Sequence, residues 1–406
     1  MQITIPKQVE EILAELRENG YEAFAVGGCV RDALLHREPG DWDITTSARP
    51  DQVKQVFGKT IDTGLQHGTV TVMREHVGYE ITTYRIDGEY EDGRHPKEVA
   101  FTSDLKEDLR RRDFTINAMA YSGETGIVDI FGGIRDLEKG IVRCVGDPME
   151  RFTEDALRIL RAIRFSAQLG FEIEDNTYRA LSVIAPNLAH VSKERIQVEL
   201  TKTLLSEHPE RIYLVDETGM SLYVSDTFDA VFEETGKERG VSACMRASRL
   251  PARKALRWSA FLAYAGEENT VRILKELKMD NDTINRAETL VKWFAAELSE
   301  EEAKLRAVMS SMEDELFDDL LLLRESLLPE EKAVTEKLRE TAGTIRGRGD
   351  CIRMKDMAVS GKDLIAAGVK PGPDMGGILS SLFTHVLKHP EDNEKGYLLH
   401  MAGTLR

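Results

Sequence analysis

The feature that most restricts the fold of this chain is a strand, a pair of glycines and a helix in immediate succession. The apolar run EAFAV ends at Val26, Gly27 and Gly28 follow, and VRDALL begins a helical pattern. Two glycines let the backbone turn sharply, and the N–H groups that open the helix then point at whatever lies above the turn. We expect a phosphate group to bind there, with Gly28 at the turn and Arg31 as its charge partner. An ordinary tight turn would have the same sequence, so the prediction of a phosphate site needs support from a second feature.

That second feature is the segment GDWDITT, in which Asp41 and Asp43 stand two residues apart. Residues two apart in a strand project from the same face, so we predict that the two carboxylates lie side by side. Adjacent carboxylates repel each other unless a cation lies between them, and hard oxygen ligands suit Mg²⁺. A solvated strand end is the plain alternative. A phosphate-binding turn followed directly by such a strand predicts instead a site where a metal ion meets a phosphate.

The spacing of apolar residues changes near residue 142. Before that point, short strands and helices alternate, and the segments GTVTVMREH and GYEITTYRI form a predicted hairpin that turns around Val77 and Gly78. Beyond about residue 145, nearly every segment has apolar residues three and four apart, which is typical of helices. We therefore predict an α+β protein in which a mixed head precedes a long all-helical remainder.

The composition is that of a globular protein, with 41% apolar and 31% charged residues in a chain of 406. No apolar run reaches the roughly 18 residues of a membrane span, and the first residues lack the pattern of a secretory signal. The four cysteines match no disulfide or zinc spacing: Cys29, Cys144, Cys244 and Cys351. We expect a cytoplasmic protein with reduced cysteines and no membrane partner.

The net charge of −17 argues, as an average, against a nucleic-acid partner, because phosphate binding needs clustered lysine and arginine. The charge is unevenly distributed, however. Residues 298–331 are strongly acidic, whereas residues 337–370 contain eight Lys/Arg against four Asp/Glu. The sign of any one face therefore does not follow from the total.

Two further motifs concentrate arginine. The first, LRRRDFTINAMA (109–120), has three consecutive arginines before a helical turn, and a solvated basic surface is its plain alternative. The second, RFTEDALRILRAIRF (151–165), predicts one continuous helix with an acidic pair ahead of three arginines at three-residue spacing. Like charges so close along a helix repel one another. The second motif therefore indicates a function that needs positive charge.

Seven segments together resemble the class II tRNA nucleotidyltransferases, the CCA-adding enzymes, which share their head and neck with bacterial poly(A) polymerases. They are, in order, GGCVRD, GDWDITTSA, HGTVTV, RRDFTINA, VDIFGGIRDL, RFTEDALRILRAIRF and HVSKERIQVEL. The resemblance runs from about residue 20 to 205 and resumes in the tail, but residues 210–340 carry no matching motif. It implies four domains: a polymerase-β-type nucleotidyltransferase head (1–142), a helical neck that recognises the base (143–207), a helical body (208–282) and a helical tail that binds tRNA (283–406).

The resemblance also implies a reaction. C, C and A are added from CTP and ATP to the 3′ end of tRNA without a nucleic-acid template, with Mg²⁺ ions held by Asp41 and Asp43. Glu80, in GYEITTYR, is the candidate for a third carboxylate.

Other residues match family positions that contact the nucleotide. Gly28 and Arg31 match those at the triphosphate and sugar, and Arg112 matches an arginine that reaches the nucleotide from RRDFT. The loop 87–98 falls where the family has a flexible loop that helps the switch from C to A addition, with Asp92 and Arg94 as candidate levers.

The family motif E-D-x-x-R corresponds to Glu154, Asp155 and Arg158. The Asp155 carboxylate accepts and the Arg158 guanidinium donates, which suits the amino group and ring nitrogen of both cytosine and adenine. Uracil and guanine present the opposite polarity, at about 1–3 kcal/mol per mismatched contact. We expect Glu154 to orient Arg158. Arg161 and Arg164 match positions that also contact the nucleotide, although helical geometry alone leaves Arg164 equally compatible with the surface.

Three functions remain open on the sequence alone. The first is a complete CCA-adding enzyme, and the second is a poly(A) polymerase or an enzyme adding only C or only A. The third, of another class, is a silent RNA-binding protein on the same scaffold. The tail motifs, the short C-terminus and the intact loop favour the first, and the intact D-x-D and E-D-x-x-R motifs disfavour the third. We expect basic residues to line an RNA track and the acidic excess to face outward. Oligomeric state and tRNA preference stay open.

Overall fold

The computed structural model describes residues 2–65, 68–87 and 99–404. The chain forms two compact units. The first comprises Met1–Glu233 with Glu276–Lys278, and the second comprises Glu234–Lys275 with Met279–Arg406. Every strand among the described residues lies in the first unit, and the second unit is helical. The predicted α+β class is confirmed, whereas the finer division into head, neck, body and tail stays a prediction.

The strands of the first unit form one large sheet and two small ones. In chain order they are β1 Ala23–Val26, β2 Ile44–Thr46, β3 Thr60–Gly64, β4 Thr69–Arg74, β5 Val77–Thr83, β6 Arg85–Asp87, β7 Val99–Phe101, β8 Met119–Ser122, β9 Gly126–Asp129, β10 Ile141–Val142 and β11 Glu172–Ile173. The seven-stranded sheet has the order β3-β4-β5-β2-β1-β8-β9, and the two-stranded sheets are β6-β7 and β10-β11.

Helices flank these strands and make up the rest of the chain. Those up to the end of the first unit are α1 Lys7–Glu18, α2 Gly28–Leu34, α3 Pro50–Val56, α4 Leu105–Arg110, α5 Gly133–Lys139, α6 Pro148–Glu154, α7 Leu157–Leu169, α8 Asp175–Ile184, α9 Lys193–Leu204, α10 Tyr213–Glu217, α11 Ser221–Val224 and α12 Asp226–Thr235. The later ones are α13 Lys237–Ala247, α14 Lys254–Leu262, α15 Gly266–Glu276, α16 Asn281–Ala295, α17 Glu302–Ser310, α18 Asp314–Leu327, α19 Lys332–Arg348, α20 Gly361–Ala366, α21 Pro373–Lys388 and α22 Lys395–Thr404.

The predicted hairpin is present as the antiparallel pair β4–β5. Its two-residue turn is formed by Glu75 and His76, whose φ angles are +47° and +69°. A turn with two positive φ angles matches the twist of the flanking strands. The turn therefore lies just before Val77, where the strand begins.

Strand pairing positions the acidic residues at the centre of the sheet. β1 is buried along its whole length and pairs with β2. β2 also pairs with β5 in a parallel register that matches Ile44 with Ile81. Asp43 directly precedes Ile44 and Glu80 directly precedes Ile81, and the carboxylates of Asp43 and Glu80 interact.

Ion pairs in the second unit join the acidic and basic segments that the sequence separates. Five cations of residues 337–370 bind carboxylates of residues 298–331: Lys337 with Glu300 (3.4 Å), Arg339 with Glu325 (2.7 Å), Arg346 with Asp318 (2.9 Å), Arg353 with Asp314 (2.8 Å), and Arg348 with Glu302. Much of the basic segment is therefore neutralised inside its own unit. The predicted basic RNA track stays a prediction.

Two expectations from composition can be compared with the structure. All four cysteines are free and buried, in agreement with their spacing. Among the described residues, no helix is both long enough and apolar enough to cross a membrane.

Candidate active site

Two arginine side chains lie beside the glycines that follow β1, and the backbone conformation of the first favours glycine. Gly27 has a φ of +86°, which favours glycine, and a Cβ at this position would lie 2.9 Å from Nη1 of Arg112. A Cβ on Gly28 would lie 3.6 Å from Nη2 of Arg31. Two guanidinium groups therefore lie beside this turn, and the structure brings Gly28, Arg31 and Arg112 together, whereas their contact with a nucleotide stays a prediction.

Asp41 and Asp43 do not lie within a strand, contrary to the prediction. β2 begins only at Ile44, because its partner β1 ends where the backbone turns at Gly27. Both aspartates are exposed, and the carbonyl of Asp43 accepts a hydrogen bond from Val26 N–H at 2.9 Å. They therefore flank the glycine turn from the neighbouring segment.

Asp43 reaches solvent, but the protein packed around it and the charges near it both affect the pKa of its carboxyl group. Its pKa is raised above the usual value, first by the loss of surrounding water and then by the carboxylates of Asp41 and Glu80, while the guanidinium of Arg112 opposes the rise. The carboxylates of Asp41 and Glu80, both named from sequence, thus act on Asp43. Such repulsion between carboxylates is typical of sites that bind a cation.

The residues fit a metal that takes few protein ligands. Within the described ranges, no group of three or more His, Cys, Asp or Glu side chains is arranged to hold a metal ion. Mg²⁺ commonly takes one or two protein carboxylates and completes its shell with water and substrate phosphates. The exposed pair Asp41 and Asp43 meets that smaller requirement.

Asp108, which sequence reasoning missed, anchors the arginine at the turn. It is fully buried and accepts hydrogen bonds from Arg111 (2.8 Å), Arg112 (3.4 Å) and Thr45 (3.2 Å). Burial alone would raise its pKa, but the guanidinium groups of Arg111 and Arg112 lower it. Asp108 therefore stays ionised and ties these arginines to β2. Its spacing three and four residues ahead of them was the available signal.

The motif 151–165 is not one helix, and that prediction is wrong. α6 ends at Glu154, Asp155 has an extended backbone (φ −140°, ψ 101°), and α7 begins at Leu157. The cause is local, because Asp155 Oδ1 accepts the N–H of Leu157 at 3.1 Å and so begins a new helix. Asp155 Oδ2 accepts a hydrogen bond from Arg195 of α9 at 2.9 Å. Asp155 and Arg158 therefore do not lie on one face of the same helix, because Asp155 precedes the helix that contains Arg158.

Arg158 donates to acceptors on α6 and on the segment that precedes Arg112. Its Nη1 donates to Glu154 Oε2 at 2.9 Å and to the carbonyl of Arg151 at 3.0 Å, and its Nη2 donates to the carbonyl of Arg111 at 3.1 Å. Glu154 thus orients Arg158, as expected. The Arg111 carbonyl belongs to the segment that carries Arg112, so this contact joins the two arginine motifs.

Arg161 and Arg164 are each bound to a carboxylate that sequence reasoning passed over. Arg161 donates to Asp113 Oδ2 at 2.8 and 2.6 Å, and Arg164 donates to Glu199 of α9. Arg164 is 7% exposed, so the surface alternative is wrong. Burial would raise the pKa of Asp113, but Arg161 and Asn117 hold it below its usual value.

Asn117 connects the two groups of site residues. Its side chain accepts from Arg31 Nη1 at 2.7 Å and donates to Asp113 Oδ1 at 3.1 Å, and Asp113 in turn binds Arg161. Arg31 of the turn is thus linked to Arg161 of α7 through two side chains. Asp113 and Asn117 both belong to RRDFTINA, the motif that also contains Arg112. The loop candidates Asp92 and Arg94 lie outside the described residues.

Comparison with known proteins covers nearly the whole chain. Residues 23–143 match the model of the Poly A polymerase head domain, residues 170–227 that of an RNA- and SrmB-binding site of polymerase A, and residues 251–402 that of the tRNA nucleotidyltransferase domain 2.

Individual relatives agree with these models. The chain is 37% identical to the CCA-adding enzyme of Limosilactobacillus fermentum, over 99% of this chain and 98% of that one. It is 38% identical to that of Geobacillus thermodenitrificans, over 96% and 94%. The Bacillus stearothermophilus CCA-adding enzyme, solved in complex with CTP, superposes with a TM-score of 0.82 at 32% identity and covers 99% of both chains.

Proposed function

This chain belongs to the family of the CCA-adding enzymes, and we propose that it completes the 3′ end of tRNA by adding C, C and A from CTP and ATP without a nucleic-acid template. Relatives similar to it over nearly their full length bear the name of that activity. The observation that carries the proposal is the meeting, in one unit, of a glycine turn, repelling carboxylates and an arginine-rich helix. A silent RNA-binding protein would gain nothing from carboxylates that repel one another.

The reaction is the transfer of a nucleotidyl group. The 3′-hydroxyl of the RNA attacks the α-phosphorus of the triphosphate, and pyrophosphate leaves. Asp41 and Asp43 would hold the divalent metal, which we assign as Mg²⁺ because the donors are hard carboxylate oxygens, with Glu80 beside Asp43. When bound, such a metal polarises phosphoryl oxygens and lowers the pKa of the attacking hydroxyl.

The arginines at the turn would orient the triphosphate. Arg31 and Arg112 lie against Gly28 and Gly27, so their guanidinium groups are within reach of a phosphate at the start of α2. Asp108 is the support for Arg112 in this assignment. Charge-assisted hydrogen bonds from fixed donors would hold the α-phosphate for in-line attack.

The base would be selected by Asp155 and Arg158. An acceptor and a donor suit the exocyclic amino group and adjacent ring nitrogen of cytosine and adenine alike, whereas uracil and guanine present reversed polarity. The separate anchors of the two side chains, Arg195 for Asp155 and Glu154 for Arg158, support this role. Because each side chain is held by a partner within the protein, the pair keeps its geometry when adenine replaces cytosine. Arg161 and Arg164 would contact the same nucleotide.

The tRNA would be gripped chiefly by the second unit, and a fragment tests that division. The neck was predicted to end near residue 207, but the turn Pro209–Ile212 packs on α7 and α9, and α12 ends only at Thr235, so the cut belongs after Thr235. We expect a fragment of residues 1–235 to bind CTP as the full chain does, and to lose at least about a hundredfold in tRNA affinity as phosphate contacts are removed. Calorimetry with CTP and filter binding with tRNA measure both. Tight tRNA binding by a folded fragment would refute the division.

Incubation with a tRNA lacking its last three nucleotides tests the activity itself. We expect CTP alone to give two additions, and CTP with ATP to give three additions and no more. A long tail from ATP alone would identify a poly(A) polymerase. A protein that incorporates only C, or only A, whichever RNA 3′ end is supplied would be a partial enzyme.

Under this proposal the reaction takes place in the cytoplasm. The free, buried cysteines support a reducing compartment. Fractionation of cells with an antibody to the protein would test the location.

A further inference from the structure

Phe165, on α7, lies at the centre of the arginine cluster. Its side chain is 4% exposed, and the guanidinium carbons of three arginines surround its ring. They lie 5.1 Å (Arg31), 5.5 Å (Arg161) and 4.0 Å (Arg164) from the ring centroid. A cation within about 6 Å of a ring centroid is attracted to the electrons of the ring. One ring thus contacts cations from both α2 and α7.

The ring is not needed to balance their charge. Each arginine lies beside a carboxylate: Asp32 for Arg31, Asp113 for Arg161 and Glu199 for Arg164. Glu199 also lies 3.9 Å from Arg161, and Asn117 and Asp113 link Arg31 to Arg161. The ring is the group that all three arginines contact, so it can fix their positions relative to one another.

The ring is itself held in place. Phe114 packs edge-on against it, with centroids 5.6 Å apart and planes at 79°. Phe114 is fully buried and packs in turn against Phe152 at 6.5 Å. Because Arg31 Nη2 also lies beside Gly28, a fixed ring sets the distance from the glycine turn to α7.

We propose that Phe165 is a positioning residue for nucleotide binding, which holds Arg31 at the glycine turn in register with Arg161 and Arg164 on α7. The inference rests on the proposed function, because it takes these arginines to contact CTP and ATP. Phe165 acts through the arginines and does not touch the nucleotide. Weakening its attraction for cations should therefore weaken binding of both nucleotides and leave the choice between bases unchanged.

Stepwise fluorination of the ring tests this role in the full-length protein. Incorporation of 4-fluoro-, 3,5-difluoro- and 3,4,5-trifluorophenylalanine at position 165 withdraws electron density and changes the volume little. We expect the KM values for CTP and ATP to rise together along the series, by about 2- to 30-fold in total, as the loss of cation–ring attraction implies. The tRNA Kd and the ratio of CTP to UTP incorporation should stay constant.

Phe152 provides the matched control. It is buried and packs on the same Phe114, but within the part of the chain that the structure describes no guanidinium lies over its ring. The same fluorination series at Phe152 should leave both KM values unchanged. A flat series at Phe165, or equal slopes at both positions, would overturn the inference. Failure of the proposed function would appear separately, as an unsubstituted protein that adds neither C nor A.

Discussion

Substitution of Asp41 or Asp43 by alanine should stop the incorporation of C and of A together, by about a thousandfold or more. The reason is that one metal site serves both nucleotides, and a bound metal supplies several kcal/mol of transition-state stabilisation. Binding of tRNA should change little, because these exposed carboxylates flank the glycine turn in the first unit. Single-nucleotide incorporation assays with CTP and ATP measure the loss, and filter binding measures tRNA affinity.

The Asp43→Asn variant separates loss of metal from loss of folding. The pKa of Asp43 is raised in the folded protein, so the folded state binds a proton more tightly than the unfolded state does. The ionised carboxylate therefore lowers stability at pH values above that pKa, and asparagine should keep or raise the Tm at neutral pH without metal. Added Mg²⁺ should stabilise the natural protein more than the variant. Loss of only C or only A incorporation would contradict a shared site.

Substitution of Asp155 should change which base is accepted. Asp155→Ala removes the acceptor for the exocyclic amino group, and with it the repulsion of O4 of uracil. We expect discrimination between CTP and UTP to fall about ten- to a hundredfold, corresponding to about 1–3 kcal/mol. UTP should gain most, because it matches CTP in size. Arg158→Ala should instead weaken CTP and ATP together.

Asp155 also begins α7, so its stability effect needs a control. Loss of the hydrogen bond to Leu157 N–H should lower stability by about 0.5–2 kcal/mol, whatever happens to base choice. In Asp155→Asn the side-chain oxygen can still accept that N–H, while the amide nitrogen can donate to O4 of uracil. We expect this variant to accept UTP at least as well as the alanine variant, with a higher Tm. A lower Tm with an unchanged CTP/UTP ratio would mean that Asp155 serves only the helix.

Local pattern was sufficient for much of the fold. The strand AFAV, the glycine turn and the hairpin β4–β5 follow from apolar alternation and glycine position, which act within a few residues. The turn of the hairpin lies at Glu75 and His76, just ahead of the predicted Val77 and Gly78. Asp155 shows the limit of the same reasoning. Its side chain competed with the backbone and divided a segment whose periodicity was that of one helix.

The site residues that were not predicted are those whose hydrogen-bond partners are distant in the sequence. Glu199 binds Arg164 from 35 residues away, and Asn117 binds Arg31 from 86 residues away. No spacing rule connects such pairs, since they are made by the packing of α9 and of the sheet. Asp108 was different, because its spacing to Arg112 is helical and could have been noticed.

One site, built from protein side chains, would accept C and A and reject U and G. Displacement of labelled CTP from the natural protein by each of the four nucleoside triphosphates, in Mg²⁺ and without RNA, measures this selection. We expect one CTP bound per chain, complete displacement by ATP, and at least about tenfold higher concentrations of UTP or GTP for the same effect. Failure of ATP to displace CTP, or displacement by UTP as readily as by unlabelled CTP, would contradict it.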